Sequence, residues 1–387
     1  MNFTLDEEQQ LLKDSAERFV RETCSLDRRR ALVESELGYS ERSWRQMAEL
    51  GWLGVGVPEA YGGTGGGPME TMVLMEVFGS GLVVEPYFPS VVLGGNLVTM
   101  AGSEAQQRTI LPALVAGKLK IAFAWVEAQS GFDLFDVRTA AAPRDGGYAI
   151  DGAKAVVLGA AASDMLVVSA RTSGASRDQD GIGLFLVDRR AEGVTLRDYR
   201  TVDGLRAAEV AFENVTVGDD AVLGDPQGAL PTIEAIAERA IAALCAEAVG
   251  VMDVVVRSTA DYLKTRKQFG RPIGAFQVLQ HQFTDMLMAS EEARSMMYVA
   301  TLRLGERDAG LREKAVSGAK HLIGKHGRSI GQRAIQLHGG MGMTEEMAVG
   351  HYFKRLTMID VMFGDAAYHL KRYASLSMGP GTMHAPS

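Results

Sequence analysis

Only two cysteines, Cys24 and Cys245, occur in 387 residues, too few for a disulfide framework or a cysteine-built zinc site. Histidine is missing from the first 280 positions. His321 and His326 stand five apart, the wrong spacing for a two-ligand helical metal site, and no H-E-x-x-H run occurs, so no metal is expected. Long apolar runs are also lacking. The stretch around Ile241 is cut by Glu238, Arg239, Glu247 and Asp253, which argues against a membrane span. The opening MNFTLDEEQQ is acidic and polar, unlike a signal peptide, and a cytoplasmic protein is expected. A basic excess is absent too: the net charge is −8, leaving no broad cationic face for nucleic acid. At 47% apolar and 23% charged residues, what remains is an ordinary globular chain, long enough for two or three domains.

Three blocks follow one another. Residues 1–118 read as an N-terminal helical domain. TLDEEQQLLKDSAERFVRE offers Thr4 or Asp6 as N-cap and puts Leu11, Leu12, Ala16, Phe19 and Val20 on one helical stripe. SERSWRQMAELGWLGV repeats the pattern and stops at Gly51. The loop PEAYGGTGGGPME fits neither phosphate-loop spacing and reads as a plain connection. Residues 119–225 carry short β-rich runs separated by turn signals such as Asp145-Gly146-Gly147 and Asp180-Gly181, the pattern of a small antiparallel barrel or sandwich. Ser173–Asp180 reads as an exposed loop. Residues 226–387 hold four periodic segments, about 230–266, 276–306, 311–338 and 348–376, which suggest a C-terminal four-helix bundle. The fold class is therefore α+β multidomain.

Within the last block, YLKTRKQFGRPIGAFQVLQH sets Lys264, Arg266, Lys267 and Arg271 around a Phe269-Gly270 break. Cations suit a helix C-terminus and glycine the position past it. An anionic ligand is the sharper reading, and the two are compatible. About sixty residues on comes QLHGGMGMTEE, Gln336–Glu346. The Arg-x-Gln-Phe-Gly run with its downstream Phe-Gln, paired with Gln-x-x-Gly-Gly-x-Gly and with this block order, resembles the FAD-dependent acyl-CoA dehydrogenase family over essentially the whole chain. The resemblance implies a tetramer built on the bundle, with FAD across a subunit boundary. Carried over by position, Arg266 meets the FAD diphosphate, Gln268 and Phe269 line its adenine-side arm, and Gln277 sits nearby. Gln336, Gly339 and Gly340 let backbone approach the ADP half, and His338 falls within the same motif. A guanidinium grips a diphosphate through parallel hydrogen bonds, and paired glycines admit a ligand where side chains would clash.

The family reaction is α,β-desaturation of an acyl-CoA thioester, with a carboxylate removing the α proton. The loop holding the flavin ring, usually Thr-Glu-Pro-x-x-Gly-Ser-Asp, reads VEAQSGFD here, so Val126 replaces the threonine while Glu127, Gly131 and Asp133 remain. The Trp-Ile-Thr segment behind the ring becomes Val156-Val157-Leu158. Val126, Val156 and Leu158 would thus border the ring, with hydroxyl donors gone at two places. For the base, alignment on Gly364 puts Phe363 at the usual glutamate. The alternative slot, on the first bundle helix, holds Ala240. Glu247, seven residues on, shares that helical face, displaced by about 10 Å, and ranks first. Glu238 is second, through a two-residue helical bulge, and Asp365 third. A buried structural role for Glu247 is the competing reading. Most of the 19 methionines read as core, some as lining for an acyl tunnel.

Two functions are expected of such a chain: FAD-dependent acyl-CoA dehydrogenation in fatty acid metabolism, passing electrons to an electron-transfer flavoprotein, or a non-catalytic small subunit donating the FAD-ADP clamp to a paralogous chain. The C-terminal sequence looks like the small chain of two-chain enzymes such as pimeloyl-CoA dehydrogenase or the bacterial steroid side-chain dehydrogenases. A homo- or heterotetramer is implied.

Overall fold

The computed structural model describes residues 5–378, so Thr4 lies outside the described residues. Asp6 is the N-cap. Its carboxylate accepts the Gln9 N–H at 2.8 Å and the Gln9 side chain accepts the Asp6 N–H, a capping box that starts α1 (Glu7–Thr23). Ala16 and Phe19 of the apolar stripe are buried, but Leu11 is 67% exposed. The stripe is used where Gly81 packs against it, beside Val20. Further N-terminal helices are α2 (Leu26–Glu34), α3 (Glu41–Glu49), α4 (Pro68–Gly81), α5 (Asn96–Ala101) and α6 (Glu104–Val115). The glycine-dense loop is a short 3-10 turn, Glu59–Tyr61, ended by left-handed Gly62.

The middle block is one open, mixed sheet, not a closed barrel. Its strands are β1 (Ile121–Ala124), β2 (Ala140–Arg144), β3 (Gly147–Leu158), β4 (Met165–Arg171), β5 (Ile182–Asp188), β6 (Val194–Arg200), β7 (Arg206–Gly218) and β8 (Val222–Leu223). They follow the order β6-β7-β3-β2-β4-β5-β8, with β1 beside β4. Most pairs are antiparallel, but β1 runs parallel to the start of β4, and β2 meets its end in parallel at Ala140 and Arg171. β1 and β2 share one edge of β4 end to end, and the loop between them spans the gap. Ile150, Leu166, Val168, Phe185 and Val210 fill the buried face.

The C-terminal block holds α7 (Leu230–Thr265), α8 (Gln277–Arg303), α9 (Ala309–His338), α10 (Ala348–Val361) and α11 (Ala366–Met378). The expected fourth segment is therefore two helices, broken where Phe363 and Gly364 take φ of 55° and 106°. The fully buried Lys320 donates to the carbonyls of Ile359, Asp360 and Gly364 at 2.7, 2.7 and 2.9 Å, capping α10 with a cation. Among the described residues no helix is long and apolar enough to cross a membrane.

Two compact units emerge, and they cut across the sequence blocks. One takes the described residues up to Arg29, Pro68–Val83 and the described residues from Ile241 on; the other takes Arg30–Gly67 and Val84–Ala240. In the first, the bundle unit, α4 and α7 meet backbone to backbone. A Cβ at Gly79 would lie 2.1 Å from the Glu247 carbonyl oxygen, and one at Gly250 would lie 1.8 Å from that of Glu76. Only glycine permits such an approach.

Candidate cofactor site

In the bundle unit, the basic stretch forms a two-strand hairpin between α7 and α8, pairing Lys267–Gln268 with Arg271–Pro272. Ile273 N–H closes its base on the Arg266 carbonyl at 2.8 Å. Phe269 and Gly270 occupy the tip with φ of 53° and 78°, the double left-handed geometry of the tightest hairpins. Phe269 is 89% exposed, edge-on to Phe276, and the Arg271 guanidinium stacks 4.2 Å over the Phe276 ring. Arg266, Gln268 and Gln277 all face solvent.

The second motif ends α9. Gln336, Gly339 and Gly340 are exposed, and a Cβ at either glycine would meet nothing within 4 Å. Tyr262 joins the two motifs. Its ring stacks on that of His338 at 4.4 Å, and its hydroxyl donates to the His338 carbonyl at 3.2 Å. His338 itself is buried, its Nδ1 2.8 Å from the Ala334 carbonyl, and burial holds its pKa below the ordinary value. A pair of open glycines beside an exposed arginine, an ammonium and amide side chains suits an extended anionic group such as a dinucleotide diphosphate. These residues fit the ADP half of FAD.

In the other unit, Val126 and the Val156–Leu158 segment come together: Ala155 N–H donates to the Val126 carbonyl at 2.7 Å. Val156 sits at a bulge of β3 with φ of 51° and is 42% exposed, a costly conformation for a β-branched residue. Val126, Val156 and Leu158 present aliphatic side chains and backbone, with no hydroxyl among them.

Beneath this face lies a knot that sequence reasoning missed. Glu127 and Lys154 are 4% and 1% exposed and 2.7 Å apart. The Lys154 ammonium also donates to Ser169 Oγ at 3.1 Å. The Glu127 carboxylate accepts the backbone N–H groups of Arg138 and Thr139 at 2.9 and 3.0 Å, and the Gln129 amide at 2.8 Å. Burial alone would raise the Glu127 pKa, but the Lys154 charge and these donors hold it down at about 2. Burial draws Lys154 down to about 8, which leaves the pair ionised at neutral pH. A groove of about 600 Å3 opens over the pair, with Arg138, Arg197 and Glu209 among its walls. Buried Arg171, at the end of β4, donates to the carbonyls of Phe135 and Val137 farther along the Glu127 loop and to those of Ser176 and Asp180 in the loop after β4. The one local sign was a lysine in the middle of the strand sequence IDGAKAVVL.

The three base candidates are each engaged. Both oxygens of buried Glu247 take the guanidinium of buried Arg355, each at 2.6 Å. α7 runs unbroken past Glu238, so the bulge that would have shifted Glu238 into register does not form; its side chain is 4% exposed. Asp365 Oδ1 accepts the Tyr368 N–H at 2.8 Å and so caps α11. Phe363, at the usual glutamate position by alignment, is 8% exposed.

Comparison with known proteins gives these features a context. Residues 6–118 match the model "Acyl-CoA dehydrogenase, N-terminal domain", 122–215 the middle domain and 233–375 the C-terminal domain. Probable acyl-CoA dehydrogenase YngJ of Bacillus subtilis is 27% identical, over 96% of this chain and 98% of its own. A solved variant of the Tcur3481-Tcur3483 steroid ACAD is 32% identical over 97% of this chain and 98% of that one, with a TM-score of 0.86. The ChsE4-ChsE5 complex from Mycobacterium tuberculosis, 24% identical, shares the fold at a TM-score of 0.87, over 98% of this chain and 100% of that one. The chain is a member of the acyl-CoA dehydrogenase family.

Proposed function

We propose that this chain is one of two different chains in a tetrameric, FAD-dependent acyl-CoA dehydrogenase of the cytoplasm that desaturates a bulky thioester of the steroid class. Each cofactor would lie between the ring face of one chain and the hairpin clamp of another. This chain contributes a complete clamp, Arg266, Gln268, Phe269, Gln277, Gln336, Gly339 and Gly340, and a ring face of aliphatic side chains and backbone. The observation that carries the reading is this asymmetry. The clamp is exposed and its glycines open, while Val126, Val156 and Leu158 offer no hydroxyl to a flavin edge. The name of the Tcur3481-Tcur3483 relative, with two components and a steroid, points the same way.

When bound, FAD supplies the acceptor for the β hydride and hands the electrons to an electron-transfer flavoprotein. The residues of this chain orient the diphosphate and shield it. The α proton is taken by a carboxylate of the other chain, because Glu247 is committed to Arg355 and Asp365 to a helix cap. Glu247 is accordingly a structural carboxylate in this reading, as are Glu238 and Asp365.

The test is the ratio of flavin to chain. Purified alone and supplied with FAD, the chain should stay nearly colourless. Co-expressed with a paralogue whose first loop keeps its threonine and serine, it should gain a flavin band and dehydrogenase activity. One tightly held FAD per chain in the isolated protein, with turnover of an acyl-CoA, would replace this reading by that of a self-sufficient dehydrogenase.

A further inference from the structure

The ring face keeps an elaborate internal support despite its missing hydroxyls. Glu127 sits in the loop joining β1 to β2, and its carboxylate holds the last two N–H groups of that loop, those of Arg138 and Thr139 just before β2. Lys154 comes from β3 and Ser169 from β4. Two strands and the loop therefore converge on one buried ammonium. The neighbouring residue, Ala155, donates to the Val126 carbonyl, and Val156 follows in its left-handed bulge. Moving Lys154 would move both edges of the face together. Buried ion pairs of this kind seldom raise stability over apolar packing, so their retention calls for another role.

We propose that Lys154 is a positioning residue: with Glu127 it presets the backbone of Val126–Thr139 and Ala155–Leu158 as a rigid seat for the planar ring of a flavin. This rests on the reading that this face meets FAD. It adds that the seat is formed before the cofactor arrives and that this chain's own face takes part in holding it. Arg171 secures the far end of the same loop through the carbonyls of Phe135 and Val137, and ties it to the β4–β5 loop through those of Ser176 and Asp180. The part left to meet a ligand is the short stretch around Gly131, which is exposed and has φ of 55°.

Two variants test it: Lys154→Met, and the double variant Glu127→Gln with Lys154→Met, which removes both charges and restores folding where the single variant is unstable. Amide exchange is read in the chain without cofactor; the visible spectrum and retention of FAD are read in the assembled enzyme. In the double variant the Arg138 and Thr139 amides should exchange faster, since a glutamine has one carbonyl acceptor where the carboxylate had two; in Lys154→Met they should do so because the carboxylate loses the ammonium that holds it in place. The flavin band should shift, and FAD should dissociate about tenfold more readily, the scale of losing an orienting outer shell. Unchanged exchange at Arg138 and Thr139 in the double variant would overturn the proposal. So would faster exchange with an unaltered flavin spectrum and FAD retention, which would reduce the pair to a folding element. Arg266→Met separates the two readings. If it releases FAD while the Lys154 variants do not, the clamp stands and the seat falls.

Discussion

Replacing Glu247 by glutamine distinguishes a structural carboxylate from a catalytic one. In the fold, Arg355 Nε and Nη2 each reach one Glu247 oxygen at 2.6 Å, with both side chains buried. The charge centres lie roughly 4 Å apart, for which an effective dielectric constant near 20 gives about 4 kcal/mol of attraction. Glutamine keeps the shape and one acceptor but strands the guanidinium in the interior, a loss of about 3–5 kcal/mol. Urea unfolding of the assembled enzyme, followed by circular dichroism, should show that loss as a lower midpoint with an unchanged slope. Glu247→Gln with Arg355→Met should recover most of it, because the pair is removed as a unit. Turnover of the folded fraction should stay within about tenfold of the parent. A Glu247→Gln enzyme with parental stability and a rate reduced by about 10³ or more, the loss expected on removing an essential base, would refute the reasoning and make Glu247 the base.

Other outcomes follow from the same geometry. Arg266→Met should weaken FAD retention by about 10–150-fold, the value of one charge-assisted hydrogen bond to a diphosphate, measured by release of flavin fluorescence on dilution. Glu127 titrates at about 2 in the fold against an ordinary 4.5. Its stabilisation, about 3 kcal/mol, is present above pH 4.5 and disappears as pH falls from 4.5 toward 2. Unfolding midpoints across that window should fall in the parent and lie flatter in Glu127→Gln. Gly250→Ala would drive a methyl into the Glu76 carbonyl oxygen; a loss of about 1–3 kcal/mol or more is expected in chemical denaturation, and a neutral result would show that α4 can shift.

The order of helices, strands and helices was legible because it is written in local periodicity, and Asp6 was one of the two N-cap candidates that the sequence offered for the first helix. Strand β2 was not: AAAPR has neither alternation nor β-branched residues, and it is a strand because it pairs with β3, from Ala140 opposite Asp151 to Arg144 opposite Gly147. The break between α10 and α11 was hidden for a related reason. The apolar pattern runs through Met362 and Phe363, and the carbonyls left where the chain turns are held by a lysine 39 to 44 positions earlier. At the proposed cofactor site, motif spacing named residues that the fold leaves at the surface. The pairings of Glu127 with Lys154 and Glu247 with Arg355 span 27 and 108 positions, and no window of sequence reports such a distance. Glu247 on its own helical face looked available; its partner sits on α10.

The backbone contact of α4 with α7 also sets a timetable for synthesis. α1 and α4 belong to the bundle unit, yet the glycine that receives α4, Gly250, is translated roughly 170 residues after Gly79. At about 5–20 residues per second, the first helices wait on the order of 10–30 s on the ribosome for the surface they will cover. Until then Met72, Leu74, Val77 and Phe78, all buried in the finished fold, lack it. The sheet unit can close during that interval, since its last strand ends at Leu223, whereas the bundle unit must be assembled from both ends of the chain.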